Sequence, residues 1–141
     1  MAFFVDTNVI VYAATEGPYR DSCLEILHAI TEGDANGRTS TAVLEEVWHV
    51  ELSGKAGNIS GLAENAYTIF APLLAVDHEI FGSALARPVP RLGANDRIHV
   101  ATCALNEIGS IVTADADFDG IRGLRRVDPL DRPALARVLA S

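Results

Sequence analysis

A handful of acidic residues stand where carboxylates can work together. Asp6 closes the short apolar run Ala2–Val5, and Asp115 and Asp117 directly follow Ser110–Thr113. Asp96 opens a stretch of helical periodicity, and Glu45 and Glu46 lie about a turn beyond Arg38-Thr39-Ser40. Carboxylates brought close repel one another and resist full ionisation unless a cation neutralises them. A hard divalent ion, Mg²⁺ or Mn²⁺, is the natural neutraliser of an all-oxygen site. Such a cage suits hydrolysis, with a metal-activated water as nucleophile and charge relief on the departing oxygen. Taken one at a time, the same acids also suit helix N-caps or solvated faces. Capping and metal binding are compatible roles for one carboxylate.

The elements needed to bring these acids together are legible as an alternation. Ala2–Val5, Arg38–Ser40, Leu73–Val76, Ser110–Thr113 and Leu124–Val127 read as short strands. Helical periodicity covers Val9–Ala14, Tyr19–Glu32, Thr41–Ser53, Gly61–Phe70, the segment after Asp77, Arg97–Ile108 and Pro133–Ala140. The expected inward stripes are Cys23, Leu24, Ile26, Leu27 and Ile30 in the second of these helices and Val43, Leu44, Val47, Trp48 and Leu52 in the third. In the next two they are Leu62, Ala66, Ile69 and Phe70, then Ile80, Phe81, Ala84 and Leu85. Asn95 or Asp96 is placed to cap the penultimate helix, and Gly109 to stop it. Short strands alternating with helices predict an α/β fold, a parallel sheet of about four to five strands covered on both faces. Right-handed crossovers then put every strand's C-terminal end on one edge, where ligands of open α/β sheets bind. Asp6, a glutamate near position 46, Asp96, Asp115 and Asp117 all map to that edge. Spacing alone does not separate Glu45 from Glu46.

The 141 residues suit one domain with a real core, 49% hydrophobic with 6% aromatic, so Ala, Val, Leu and Ile must fill most of it. No apolar run reaches the ~18 residues of a membrane span. MAFFVDTN lacks the basic start of a signal peptide, so the cytoplasm is the expected compartment. Cys23 and Cys103 fall among apolar neighbours and read as buried free thiols. The net charge of −8 weighs against a phosphate-rich partner. Two features offset it: bound cations would add local positive charge, and arginines gather at Arg87, Arg91 and Arg97 and at Arg122, Arg125 and Arg126. Lys55 is the only lysine.

Four segments in order, FFVDTNVI, TSTAVLEEVWH, NDRIHVATCAL and IVTADADFDGI, resemble a PIN domain, specifically the VapC-type toxins of toxin–antitoxin pairs. The resemblance spans nearly the whole chain and implies one PIN-like three-layer α/β/α domain over residues 1–141. It places the family's second acid, the eighth position of TSxxxLxE, on Glu46. It implies a Mg²⁺- or Mn²⁺-dependent endoribonuclease, inhibited by a VapB-like antitoxin and commonly dimeric. Asp6, Asp96 and Asp115 would then be the principal metal ligands. Glu46 and Asp117 would bind a second metal or orient the nucleophile through water. Asn8 and Thr113 would hold carboxylates in place, and Arg91, Arg97 and Arg122 would meet RNA phosphates.

Other acidic-pocket proteins fit less well. A response-regulator receiver needs paired acids near its start and a late strand-end lysine. A haloacid-dehalogenase phosphatase needs D-x-D where this chain has Asp6-Thr7-Asn8. A PIN domain serving only as an RNA-binding scaffold is the remaining alternative, and it is the weaker reading because all the motif acids are present. No Ser-His-Asp, Cys-His or phosphate-cradling glycine loop competes. No histidine is expected as a general base, and His49 reads as a partly packed helical residue.

Overall fold

The computed structural model describes residues 1–141 and begins with a strand that the rest of the chain surrounds. In β1 (Phe3–Val5), all three residues are 0% exposed. Burying side chains of this size contributes ~1.5–3 kcal/mol each. β1 pairs in parallel with β2 (Gly37–Arg38) on one side and β3 (Ser110–Val112) on the other. β4 (Arg125–Val127) completes a four-stranded sheet of order β2-β1-β3-β4, every pair parallel. Gly37 leaves β2 no room for a side chain, because a Cβ there would run into Ile30.

Seven helices cover the sheet and give the three-layer α/β/α arrangement: α1 (Thr7–Ala13), α2 (Arg20–Thr31), α3 (Thr41–Ser53), α4 (Leu62–Phe70), α5 (His78–Ala86), α6 (Ala94–Leu105) and α7 (Arg132–Ala140). Polar side chains start several of them. Ser40 Oγ accepts from the Val43 amide at 3.2 Å, and Asp77 Oδ1 accepts from the Ile80 amide at 3.0 Å. No helix is long and apolar enough to cross a membrane. Cys23 and Cys103 are both buried free thiols, and burial pushes each up to about 12.

Several expectations need correction. The strand expected at Leu73–Val76 shrinks to one parallel bridge between Leu74 and Ser40. Its would-be partner turns into α3 directly after Ser40, so no ladder remains to extend. α6 is capped by Gly93 and not by Asn95 or Asp96, which puts Asp96 in the first turn. At the other end Glu107, not Gly109, takes the left-handed conformation, with φ of 57°. The Ile108 amide then donates back to the Cys103 carbonyl at 2.9 Å, closing a Schellman-type turn. Periodicity also overcounted the core. Leu24, Trp48, Leu52, Phe81 and Leu85 are all exposed.

Candidate metal and nuclease site

β1 ends by delivering Asp6 to the sheet edge, and Asp6 at once becomes the N-cap of α1. Its Oδ1 accepts from the Thr7 amide at 2.8 Å. Oδ2 accepts from Thr113 Oγ1 at 2.8 Å and from Asn8 Nδ2 at 3.4 Å. Asp6 is only 5% exposed, and burial holds its carboxyl above the usual range even though His99 and these bonds pull the other way.

Thr113 and Asn8 tie the first strand to the third. Asn8 Nδ2 donates to Thr113 Oγ1 at 2.8 Å, and Asn8 Oδ1 accepts from the Ala114 amide at 3.1 Å. Thr113 Oγ1 also accepts from the Asp115 amide at 3.1 Å. One hydroxyl thereby fixes Asp6, Asn8 and the start of the loop that carries Asp115. From behind, Arg126 donates to the Thr113 carbonyl at 3.2 Å while pairing with Asp119 and Asp128.

α3 supplies Glu46, whose Oε1 accepts from Thr7 Oγ1 at 3.2 Å. Its neighbour Glu45 is exposed, so the backbone resolves the choice that spacing left open. The same Glu46 oxygen lies 2.7 Å from His99 Nε2. His99 is 0% exposed and 3.7 Å from Asp6 Oδ1. Ligand atoms of Asp6, Glu46 and His99 lie within 4.8 Å of one another. Burial alone would lower the imidazole's affinity for a proton, but the Glu46 bond and the charges of Asp6, Glu46 and Asp96 win, and the net shift is upward.

No histidine is expected in the site from the sequence, yet the fold places His99 between Asp6 and Glu46. The usable signal was its spacing, three residues after Asp96, which puts both on one face of α6. His49 is exposed and lines a cleft of ≈ 450 Å³ beside the site, together with Thr7, Glu46 and Asn95.

Asp96 and Asp115 stand outside the 4.8 Å group. The Asp96 carboxyl is pushed up to about 6, by burial first and then by the charges of Asp6, Asp115 and Glu46 against the pull of His99. Asp115 is half-buried and caps a single 3₁₀ turn, Ala116–Phe118, accepting from the Asp117 amide at 2.9 Å. Asp117 is exposed, with its carbonyl taken by Arg91 Nε at 2.9 Å. Arg91 also donates to the Asp119 carbonyl, and Arg97 Nε donates to the Leu92 carbonyl at 2.8 Å. Both arginines therefore brace the backbone around the site. Arg122 is exposed.

The donor set fits a hard divalent cation. Asp6, Glu46, Asp96 and Asp115 arrive from four separate segments, and two of them, Asp6 and Asp96, have carboxyls raised by burial first and by neighbouring acids after it.

No curated protein matches the chain. Among solved structures, the fold resembles VapBC2 from Rickettsia felis bound to a DNA fragment from their promoter, with TM-score 0.66 and 19% identity over 91% of this chain and 98% of that one. A toxin–antitoxin complex from Klebsiella pneumoniae aligns with TM-score 0.65 and 23% identity, covering 92% of this chain and 98% of the other. Mycobacterium tuberculosis VapC20, described as a sarcin–ricin loop cleaving toxin, gives TM-score 0.65 and 19% identity over 87% and 98%. A family model described as PIN domain matches residues 3–124. The chain belongs to the PIN domain family.

Proposed function

We propose that this protein is a VapC-like, Mg²⁺- or Mn²⁺-dependent endoribonuclease, held inactive by an antitoxin partner. The observation that carries the proposal is the convergence of Asp6, Glu46, Asp96 and Asp115 on one sheet edge, where burial and mutual repulsion raise Asp6 and Asp96. Asp6, Asp96 and Asp115 would hold the principal cation. Glu46 and Asp117 would hold a second one or orient the attacking water. The bound cation supplies an acidified water and charge relief for a phosphodiester.

The rest is done by the chain itself. Thr113 and Asn8 fix the Asp6 carboxylate, and Thr113 sets the direction in which the Asp115 loop leaves β3. Glu46 is anchored through one oxygen by Thr7 and His99. Arg122 is exposed and its side chain makes no hydrogen bond or ion pair within the chain, so of the three suggested arginines it has its whole guanidinium free for an RNA phosphate. Arg91 and Arg97 brace the backbone through some of their guanidinium N–H groups and would meet RNA phosphates with the rest.

The similarity to toxins solved in toxin–antitoxin complexes supports an antitoxin partner, and the exposed apolar side chains of α3, α4 and α5 suit both that partner and a second copy of the chain. Acting on RNA, the enzyme would work in the cytoplasm, as a single domain over residues 1–141.

The decisive experiment is cleavage of pooled tRNA and rRNA with Mg²⁺ or Mn²⁺, and again with EDTA. Native protein is compared with Asp6→Asn and Asp96→Asn. Metal-dependent cutting that both substitutions abolish is the expected result. A folded, antitoxin-free native protein that cuts none of these RNAs would point instead to a binding scaffold.

A further inference from the structure

Glu46 is held by two donors, and both reach the same oxygen. Thr7 Oγ1 lies 3.2 Å from Glu46 Oε1, and His99 Nε2 lies 2.7 Å from it. No protein group bonds Oε2. His99 itself is wholly buried, and its Nδ1 has no hydrogen-bond partner.

These facts decide between two roles for the ring. A metal-ligating histidine normally donates its other ring N–H to an acceptor, which fixes the tautomer and the ring's angle. Nδ1 has no such acceptor here. A bare Nε2 would also set its lone pair against Glu46 Oε1 and, at 3.7 Å, Asp6 Oδ1. The proton therefore sits on Nε2. The rest of the ring packs among apolar neighbours, with the Phe4 ring centroid 5.6 Å away.

We propose that His99 is a positioning residue: with Thr7 it saturates Glu46 Oε1, and so leaves Oε2 as the one oxygen of Glu46 offered to the cation or its water. The inference rests on the metal-dependent reading of the site and deepens it. Without the two donors the Glu46 carboxylate is free to rotate and to turn either oxygen inward. With them it is committed before any cation arrives. Preorganisation of this kind is worth ~10–100-fold in metal affinity when lost.

The test is Mn²⁺ binding to the metal-free full chain, by calorimetry and by electron paramagnetic resonance, with no RNA present. Native protein is compared with His99→Gln, which keeps a donor near the Nε2 position, and with His99→Met, which fills the space without one. Each is also made in a Glu46→Gln background. The expected result is near-native affinity for His99→Gln and a ~10–100-fold loss for His99→Met. In the Glu46→Gln background His99→Met should cost nothing further, because its effect runs through Glu46. Equal losses in both backgrounds would mean that His99 serves only the fold, and overturn the proposal. Native-like affinity in His99→Met would overturn it too, while leaving the metal-dependent reading intact. A native chain that binds no Mn²⁺ would instead remove that reading and this inference together. Should His99→Met fail to fold, ¹⁵N shifts of the imidazole in the native chain carry the test. Nε2 must be protonated, and a bare Nε2 overturns the proposal.

Discussion

Thr113 Oγ1 donates to Asp6 Oδ2 at 2.8 Å across 107 residues of sequence, and that bond joins the ends of β1 and β3. The same oxygen accepts from Asn8 and from the Asp115 amide, so its one donor and two acceptor positions are all used. Thr113→Val keeps the shape and strands three polar groups. It should cost about 1–3 kcal/mol in urea unfolding and lower Mn²⁺ affinity ~10–100-fold. A variant as stable as native, with unchanged Mn²⁺ binding, would show that Asp6 needs no such support.

Asp96 sets a pH dependence of stability that the sequence did not announce. Its folded value of about 6 exceeds the ordinary 3.8. The stability it contributes is therefore complete below about pH 3.8 and is lost as pH rises through about 6. At pH 7.5 the ionised carboxylate weighs against the metal-free fold, by about 1 kcal/mol once solvent screening of a half-exposed group is allowed for. Asp96→Asn should raise the metal-free Tm by ~2–4 °C at pH 7.5 and leave it unchanged below pH 4. Cation binding runs the opposite way, since it needs the ionised form. Mn²⁺ affinity of native protein should fall as pH drops below about 6. A metal-free Asp96→Asn protein that melts lower than native at pH 7.5 would contradict this assignment.

Much of this site was legible because strand ends are marked by chemistry. Val5-Asp6 and Val112-Thr113 each show an apolar run stopping at a polar residue, and parallel topology then forces both to one edge. The family motif singled out Glu46, and the folded helix turns it inward while leaving Glu45 in solvent. What stayed hidden depends on tertiary packing. His99 lies in an apolar run, Ile98 to Val100, where a buried histidine and a core residue look alike. Trp48, Phe81 and Leu85 follow helical periodicity, yet the sheet is too small to cover every apolar stripe that seven helices present. The charge of Arg91 and Arg97 is visible in a sequence. The carbonyls of Asp117 and Leu92 that they meet are not.

Those two kinds of arginine separate by experiment. Arg91 holds the carbonyls of Asp117 and Asp119, so Arg91→Ala should loosen the loop after β3. Faster amide exchange over residues 114–120 and a stability loss of about 1 kcal/mol are expected. Arg122→Ala should leave both unchanged, weaken RNA binding, and reduce its salt slope by ~1. Weaker RNA binding by Arg91→Ala with native exchange rates would leave Arg91 a phosphate contact and no brace.

Trp48 offers a way to see where the proposed antitoxin would sit. It is the chain's only tryptophan and is 56% exposed. With Leu44, Tyr67 and Leu73 it lines a groove of ≈ 560 Å³ between α3 and α4, and Glu45 and Glu64 line the same groove. Both glutamates are exposed, so the groove pairs an apolar floor with an acidic rim. The partner segment that fits carries an apolar ridge flanked by lysine or arginine. Such a segment, docked there, should desolvate the indole and shift its emission to the blue. Trp48→Ala should then weaken the complex by about 2 kcal/mol or more, since a central aromatic that fills a pocket carries a large share of binding energy. A complex that forms with Trp48 emission unchanged, and tolerates Trp48→Ala, would move the antitoxin to another face, with exposed Phe81 and Leu85 on α5 as the next apolar surface to substitute.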